Sequence, residues 1–143
     1  MTNKQDGMDY APKGKPNRVV GEGEFRFAAI GLDHGHIYGM CNGLMEAGAE
    51  LAVVYDPDLE KVQRFADTFP QAKAAASEEE ILNDPQIKLI AGACIPAERG
   101  ALGLRALDHG KHYFVDKPAF TTLDQVDRAR RKTKETGLKW GIY

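Results

Sequence analysis

From residue 25 onward, short unbroken apolar runs alternate with stretches in which apolar side chains recur every three or four residues. Residues 25–30, FRFAAI, stop at Gly31 and predict a buried strand. Residues 36–47 place Ile37, Met40, Cys41, Leu44 and Met45 at helical spacing, and Gly48 can close that helix. Residues 51–55, LAVVY, predict a second strand halted by Asp56-Pro57. Asp58 can cap a helix through Phe69, with Val62, Phe65, Ala66 and Phe69 on one side. Residues 72–76 predict a brief third strand, and Ser77 with Glu80 forms a capping box for a short helical turn. Residues 87–95 predict a long strand ending at Pro96, and residues 97–109 a helix closed by Gly110. Residues 112–115 predict a strand ending in Asp116-Lys117-Pro118. Thr122 caps a helix to about Thr136, and residues 139–143 begin a sixth strand.

The strands are continuous apolar runs, so both of their faces are covered. Together with strand–helix alternation this predicts an α/β fold: a doubly wound parallel sheet of about six strands with helices on both faces. Such sheets bind ligands at the carboxyl ends of their strands, where strand order reverses. The unusual polar groups of this sequence fall at those ends: residues 31–36, Asp56, residues 96–99 and residues 116–118.

Composition narrows the function classes. A net charge of −2 with scattered basic residues gives no footprint for nucleic acid or an anionic membrane. No apolar run approaches a membrane span. Cys41 and Cys94 sit far apart among apolar neighbours, which predicts buried free thiols, a reducing compartment and hence a cytoplasmic location. Residues 1–24 are rich in Gly, Pro, Lys and Asp and predict a flexible or surface-lying leader. Residues 25–143 then form one domain.

The window Gly31-Leu32-Asp33-His34-Gly35-His36 lies where a dinucleotide-binding fold carries G-x-G-x-x-G. The first glycine is present, Asp33 replaces the second, and the third is displaced to Gly35 or replaced by His36. A carboxylate facing a pyrophosphate is repulsive, so Asp33 is expected to point away. Asp56, 20 residues after His36, stands where an acid accepts both hydroxyls of the adenosine ribose and repels a 2′-phosphate. The alternative is that Asp56-Pro57-Asp58 is only a turn and a cap. His34, His36 and Asp33 are metal-type ligands, but they come from one tight turn and nothing in the sequence visibly completes a set, so no metal is expected. Lys117 ends an apolar strand; buried or half-buried there, it could exchange protons near neutrality, or else the strand end holds only a salt bridge, Asp116 with Lys117 or another partner.

Taken together these residues resemble the Gfo/Idh/MocA oxidoreductases. The resemblance covers residues 25–143. Its most specific element is the pattern AGKHVxxEKP, present as residues 109–118 with Asp116 in place of Glu. A helix-start pattern TPNxxH aligns with residues 95–100, where only Pro96 is retained. The resemblance implies a Rossmann domain that binds NAD through Gly31, Asp33, Gly35, His36, Asp56, Pro96, Asp116, Lys117 and Pro118. It implies Lys117 as the residue taking part in proton transfer. It further implies a nicotinamide-dependent dehydrogenase of a sugar, polyol or related small molecule, homo-oligomeric in full length. Its substrate and oligomerisation domain is expected to lie outside these 143 residues, leaving this piece inactive alone. Two alternatives remain open. One is a non-catalytic module that senses NAD or binds another nucleotide. The other is a methyltransferase, which leaves the Asp-Lys-Pro unexplained.

Overall fold

The computed structural model describes residues 17–143. Its strands are β1 (Arg26–Ile30), β2 (Glu50–Tyr55), β3 (Lys73–Ala74), β4 (Ile87–Gly92), β5 (His112–Val115) and β6 (Trp140–Ile142). Its helices are α1 (His36–Glu46), α2 (Leu59–Thr68), α3 (Glu78–Asn83), α4 (Pro96–Asp108) and α5 (Leu123–Thr136). All pairings are parallel and the strand order is β3-β2-β1-β4-β5-β6. Order reverses between β1 and β4, which opens a crevice at their carboxyl ends.

Strand alternation sends β1 side chains to two separate cores. Phe27 and Ala29 pack with Ile37, Met40 and Cys41 of α1 and with Val62 and Phe65 of α2. Ala28 and Ile30 pack with Ile81 and Leu82 of α3 and with Leu102, Ala106 and Leu107 of α4. The sheet is therefore covered on both faces, and the apolar runs follow from that. The helix signals act as expected from the sequence. Asp58 accepts from the Glu60 N–H, Ser77 from Glu80 and Thr122 from Gln125, while Gly137 closes α5 in a left-handed conformation at φ 72°.

Two elements differ from the sequence pattern. β3 shrinks to Lys73–Ala74, both exposed, because it is an edge strand that pairs with β2 over two residues only, while Ala72 and Ala75 on either side turn toward the two cores. β4 stops at Gly92, short of Ile95. Beyond it the backbone turns to pair with the loop after β1: Ala93 N–H donates to Gly31 O at 3.0 Å, and His34 N–H donates to Ala93 O at 3.0 Å. The apolar character of residues 93–95 thus serves a loop junction instead of a longer strand. Of the 1–24 leader, residues 1–16 lie outside the described residues. Residues 17–24 lie on the body, where Val19 N–H donates to Ala47 O at 2.8 Å and Lys88 Nζ to Glu24 O at 2.9 Å.

α4 approaches β5 and β6 most closely at Gly103, where an added Cβ would overlap Trp140 and the Tyr113 ring. Gly43 on α1 is exposed, and a Cβ there meets nothing within 4 Å. Gly103→Ala should therefore lower unfolding free energy by about 1–3 kcal/mol through overpacking. Gly43→Ala should raise it by about 0.4–1 kcal/mol through the unfolded state. Urea denaturation followed by circular dichroism measures both, and similar effects for the two would contradict this packing.

Candidate functional site

The loop between β1 and α1 lies at the switch point, stitched to the strands on either side. Gly31 N–H donates to Tyr55 O of β2 at 3.1 Å, and Gly31 O accepts from Ala93. Gly31 has φ 80°, and a Cβ there would lie 2.6 Å from Cys94 Cβ. Both the backbone sign and the neighbouring strand end therefore require glycine. Gly35 differs: its φ is −62°, and a Cβ would enter open space. α1 begins at His36 behind Gly35, which has no side chain to cap it; the His36 N–H donates to His34 Nδ1 at 3.2 Å, and the first turn has no acidic residue. Nothing in the first turn offsets the positive end of the helix dipole, which is the arrangement that receives a phosphate.

On one side of this turn opens a cavity of about 670 Å³, lined among others by Gly31, Asp33, Asp56, Lys61, Ile95 and Leu102. That volume suits a small-molecule ligand or half of a dinucleotide. Asp56 is 3% exposed. Its Oδ2 accepts from Leu32 N–H at 2.7 Å and its Oδ1 from Asp58 N–H at 2.9 Å. The carboxylate thus fixes both the first turn and the start of α2, and keeps further lone pairs for a ligand in the cavity. Asp33 turns its carboxylate toward α2 and the β4–α4 junction, where Oδ1 accepts from Lys61 Nζ at 2.6 Å and Oδ2 from Ile95 N–H at 3.0 Å. Pro96 is the exposed first residue of α4.

On the other side, the end of β5 carries a network built around Asp116, which is 1% exposed. Its Oδ1 accepts from Lys117 N–H at 2.8 Å and lies 2.8 Å from His36 Nδ1. Its Oδ2 accepts from Arg99 at 3.3 Å and lies 3.3 Å from His34 Nδ1. Burial pushes the Asp116 carboxyl up, but His36, the Lys117 N–H and the Arg99 guanidinium outweigh burial and hold it below its ordinary value. Arg99 is itself 3% exposed and also donates to Cys94 O at 2.7 Å, Asp116 O at 3.3 Å and Pro118 O at 3.2 Å. Breaking such a buried pair by removing one partner costs about 3–5 kcal/mol.

The sequence placed Arg99 among the polar groups at the strand ends but missed its role as the buried partner of Asp116. A signal for it exists: residues 99, 102, 103, 106 and 107 share one stripe of α4, all of them buried. A cation on an inward stripe must find buried acceptors. The metal-type cluster is likewise wider than the sequence indicated, since ligand atoms of His34, His36 and Asp116 lie within 4.8 Å of one another. Asp116 already accepts from Lys117 and Arg99, however, and a dication beside that guanidinium would meet a fixed positive charge. Lys117 departs from expectation. Its side chain is exposed, not buried or half-buried, because it follows the end of β5 and no described element covers it. Its ion pair with Asp116 is not formed; Asp116 takes Arg99 and the histidines instead. Pro118 follows Lys117 through a cis peptide bond and presents its carbonyl to Arg99.

The site fits a dinucleotide on three observations: the crowded Gly31, a start of α1 with no acidic residue in its first turn, and an acid at the end of β2 beside a cavity. Comparison with known proteins agrees. The chain is 30% identical over 118 residues to scyllo-inositol 2-dehydrogenase (NAD(+)) of Bacillus subtilis, a match covering 82% of this chain and 34% of that protein. It is 28% identical over 82 residues to D-xylose dehydrogenase of Paenarthrobacter nicotinovorans, covering 57% of this chain and 21% of that one. The chain thus spans about a third or less of the length of these curated relatives. The crystal structure of an oxidoreductase candidate from Erwinia carotovora atroseptica superposes with a TM-score of 0.81 at 49% identity, covering 84% of this chain and 36% of that one. The family model described as "Oxidoreductase family, NAD-binding Rossmann fold" matches residues 19–143, and the chain belongs to that family, GFO_IDH_MocA.

Proposed function

We propose that this chain is the NAD-binding unit of a nicotinamide-dependent dehydrogenase acting on a sugar, polyol or related compound. The observation that carries the reading is the first turn. Residues 31–36 set the start of α1, with no acidic residue in its first turn, at the switch point, with the Asp56 cavity on one side and the Asp116–Lys117 strand end on the other. Bound NAD would supply the acceptor for a hydride. The chain's own residues do the rest. Gly31 and Gly35 let the backbone approach the pyrophosphate, and Asp56 faces the adenosine ribose. Asp116 fixes the Lys117 backbone, so that Lys117 Nζ, once enclosed and in its neutral amine form, can take the proton from the substrate hydroxyl as the hydride leaves its carbon. The exposure of Lys117 is consistent with a catalytic group that becomes enclosed only beside a substrate-binding domain. That domain, a homo-oligomeric assembly and a cytoplasmic location belong to this proposal. Two buried free cysteines support a reducing compartment. Among the described residues no helix is long and apolar enough to cross a membrane. Turnover by the whole enzyme separates this reading from a non-catalytic NAD sensor.

Gly35→Val tests the turn without disturbing the fold, because its side chain enters open space. NAD affinity should fall at least about tenfold while stability changes by about 1 kcal/mol at most. Calorimetric titration and urea melts measure the two, and undiminished NAD binding would move the phosphate site elsewhere.

Lys117→Ala, in an enzyme that turns over substrate, should lower kcat by about 10²–10⁴ and NAD affinity far less. An unchanged rate would favour the sensor. Residues 1–143 alone should bind NAD but yield no NADH with polyols, and sustained NADH production by them would refute the need for a second domain.

Asp116→Asn should remove a pH-dependent part of stability. The folded carboxyl lies below its ordinary value of 3.8, so its contribution is complete above that pH and is lost as pH falls through the lowered value. The difference in unfolding free energy between parent and variant should therefore shrink on acidification below about pH 4. A difference constant from pH 7 to pH 3 would show that the charge of Asp116 is not what stabilises the network.

A further inference from the structure

Carboxylates outnumber cations along the wall of the adenosine-side cavity, and its two permanent cations, Lys61 and Arg105, are both engaged. Arg105 is held by Glu78 at 2.5 and 3.1 Å. Lys61, on the first turn of α2 just beyond Asp56, places Nζ 2.6 Å from Asp33 Oδ1 and 3.9 Å from Asp58 Oδ2. Asp33 itself is tethered through its other oxygen to the Ile95 N–H, so the Asp33–Lys61 pair links the β4–α4 junction to α2 along the cavity wall. Asp56 cannot swing aside, because both its oxygens hold backbone N–H groups.

We propose that Asp33, standing where dinucleotide-binding turns carry their second glycine, is a cofactor-specificity residue: by holding Lys61 it denies that cation to a 2′-phosphate and so reinforces the preference for NAD over NADP. This rests on the NAD-binding reading above. A 2′-phosphate entering beside Asp56 needs a cation to offset the carboxylates, and Lys61 is the one on the adjacent helix turn. An ammonium has three donors on a flexible stem, so Lys61 can turn to a phosphate once its partner is gone. The Asp33 hydrogen bond raises the affinity of Lys61 for its proton, so the side chain remains a cation at neutral pH. Asp33 therefore replaces a glycine without serving the pyrophosphate. Its carboxylate screens the cation that would otherwise admit the phosphorylated cofactor.

The test is calorimetric titration of the 143-residue chain with NAD and with NADP, repeated for Asp33→Asn, Lys61→Met and the double variant. Asn keeps an oxygen for the Ile95 N–H and so preserves the junction, which thermal melts verify. The parent should bind NAD more tightly than NADP. Asp33→Asn should narrow that gap about tenfold, chiefly by tighter NADP binding, the scale of one charge-assisted hydrogen bond. The gain should vanish in the Lys61→Met background, since the two residues act as a pair. An unchanged NAD-to-NADP ratio in Asp33→Asn, or a gain that persists without Lys61, would overturn the proposal while leaving NAD binding intact. A parent that binds neither cofactor would overturn the functional reading and this inference with it.

Discussion

The buried Arg99 guanidinium holds the carboxyl-edge loops of this sheet in one arrangement. It binds the carbonyl of Cys94 in the loop after β4, the carbonyl and carboxylate of Asp116 at the end of β5, and the carbonyl of Pro118. Its own carbonyl accepts from the Tyr113 hydroxyl at 3.0 Å, which ties α4 back to β5. Backbone carbonyls at strand ends otherwise need water or a cap. Here one side chain serves several, and it does so from inside, where competing water is absent. The charge left over is matched by Asp116, which then has the capacity to orient His36 and the Lys117 backbone. Desolvating a lone guanidinium would be prohibitive; surrounded by four oxygen acceptors it becomes the centre from which the crevice geometry follows.

The two flanks of the crevice are built on different physics. On the β5 side, buried charges compensate one another and leave a rigid frame. On the β2 side, carboxylates bind backbone N–H groups and a cation in a half-open cavity, so much of the negative potential remains available to a ligand. The turn between them contributes backbone and helix dipole instead of charged side chains in its first helical turn. A ligand spanning this crevice therefore meets an electrostatic gradient: acid at one end, amide dipoles at the centre, histidines and lysine at the other.

Most of the fold was legible because its determinants are local. The apolar runs, the caps at Asp58, Ser77 and Thr122, and the left-handed glycines each specify a boundary within a few residues. The element lengths misjudged from sequence were those decided by distant partners. Residues 93–95 look like strand, but their backbone pairs with the β1–α1 loop. Residues 72–76 look like strand, but at the sheet edge only Lys73 and Ala74 pair with β2, and Ala72 and Ala75 serve the cores instead. The same distinction applies to the site. Gly31 and Asp56 are identifiable by position after a strand. The roles of Arg99 and of the Asp33–Lys61 pair depend on residues 17 and 28 positions apart meeting across loops, and one-dimensional spacing carries no such information.

The two cysteines lie on opposite faces of the sheet, one in each core. Burial pushes the Cys41 thiol up to about 12 and, aided by Glu98, that of Cys94 up to about 11. Thiol-disulfide exchange and alkylation proceed through the thiolate, so both sulfurs are nearly inert at neutral pH while the sheet is covered. Each becomes reactive only when its own layer of helices lifts away. The molecule therefore carries one chemical clock per face, and the labelling rates of Cys41 and Cys94 distinguish an opening of the α1–α2 layer from an opening at the ligand-facing end of β4.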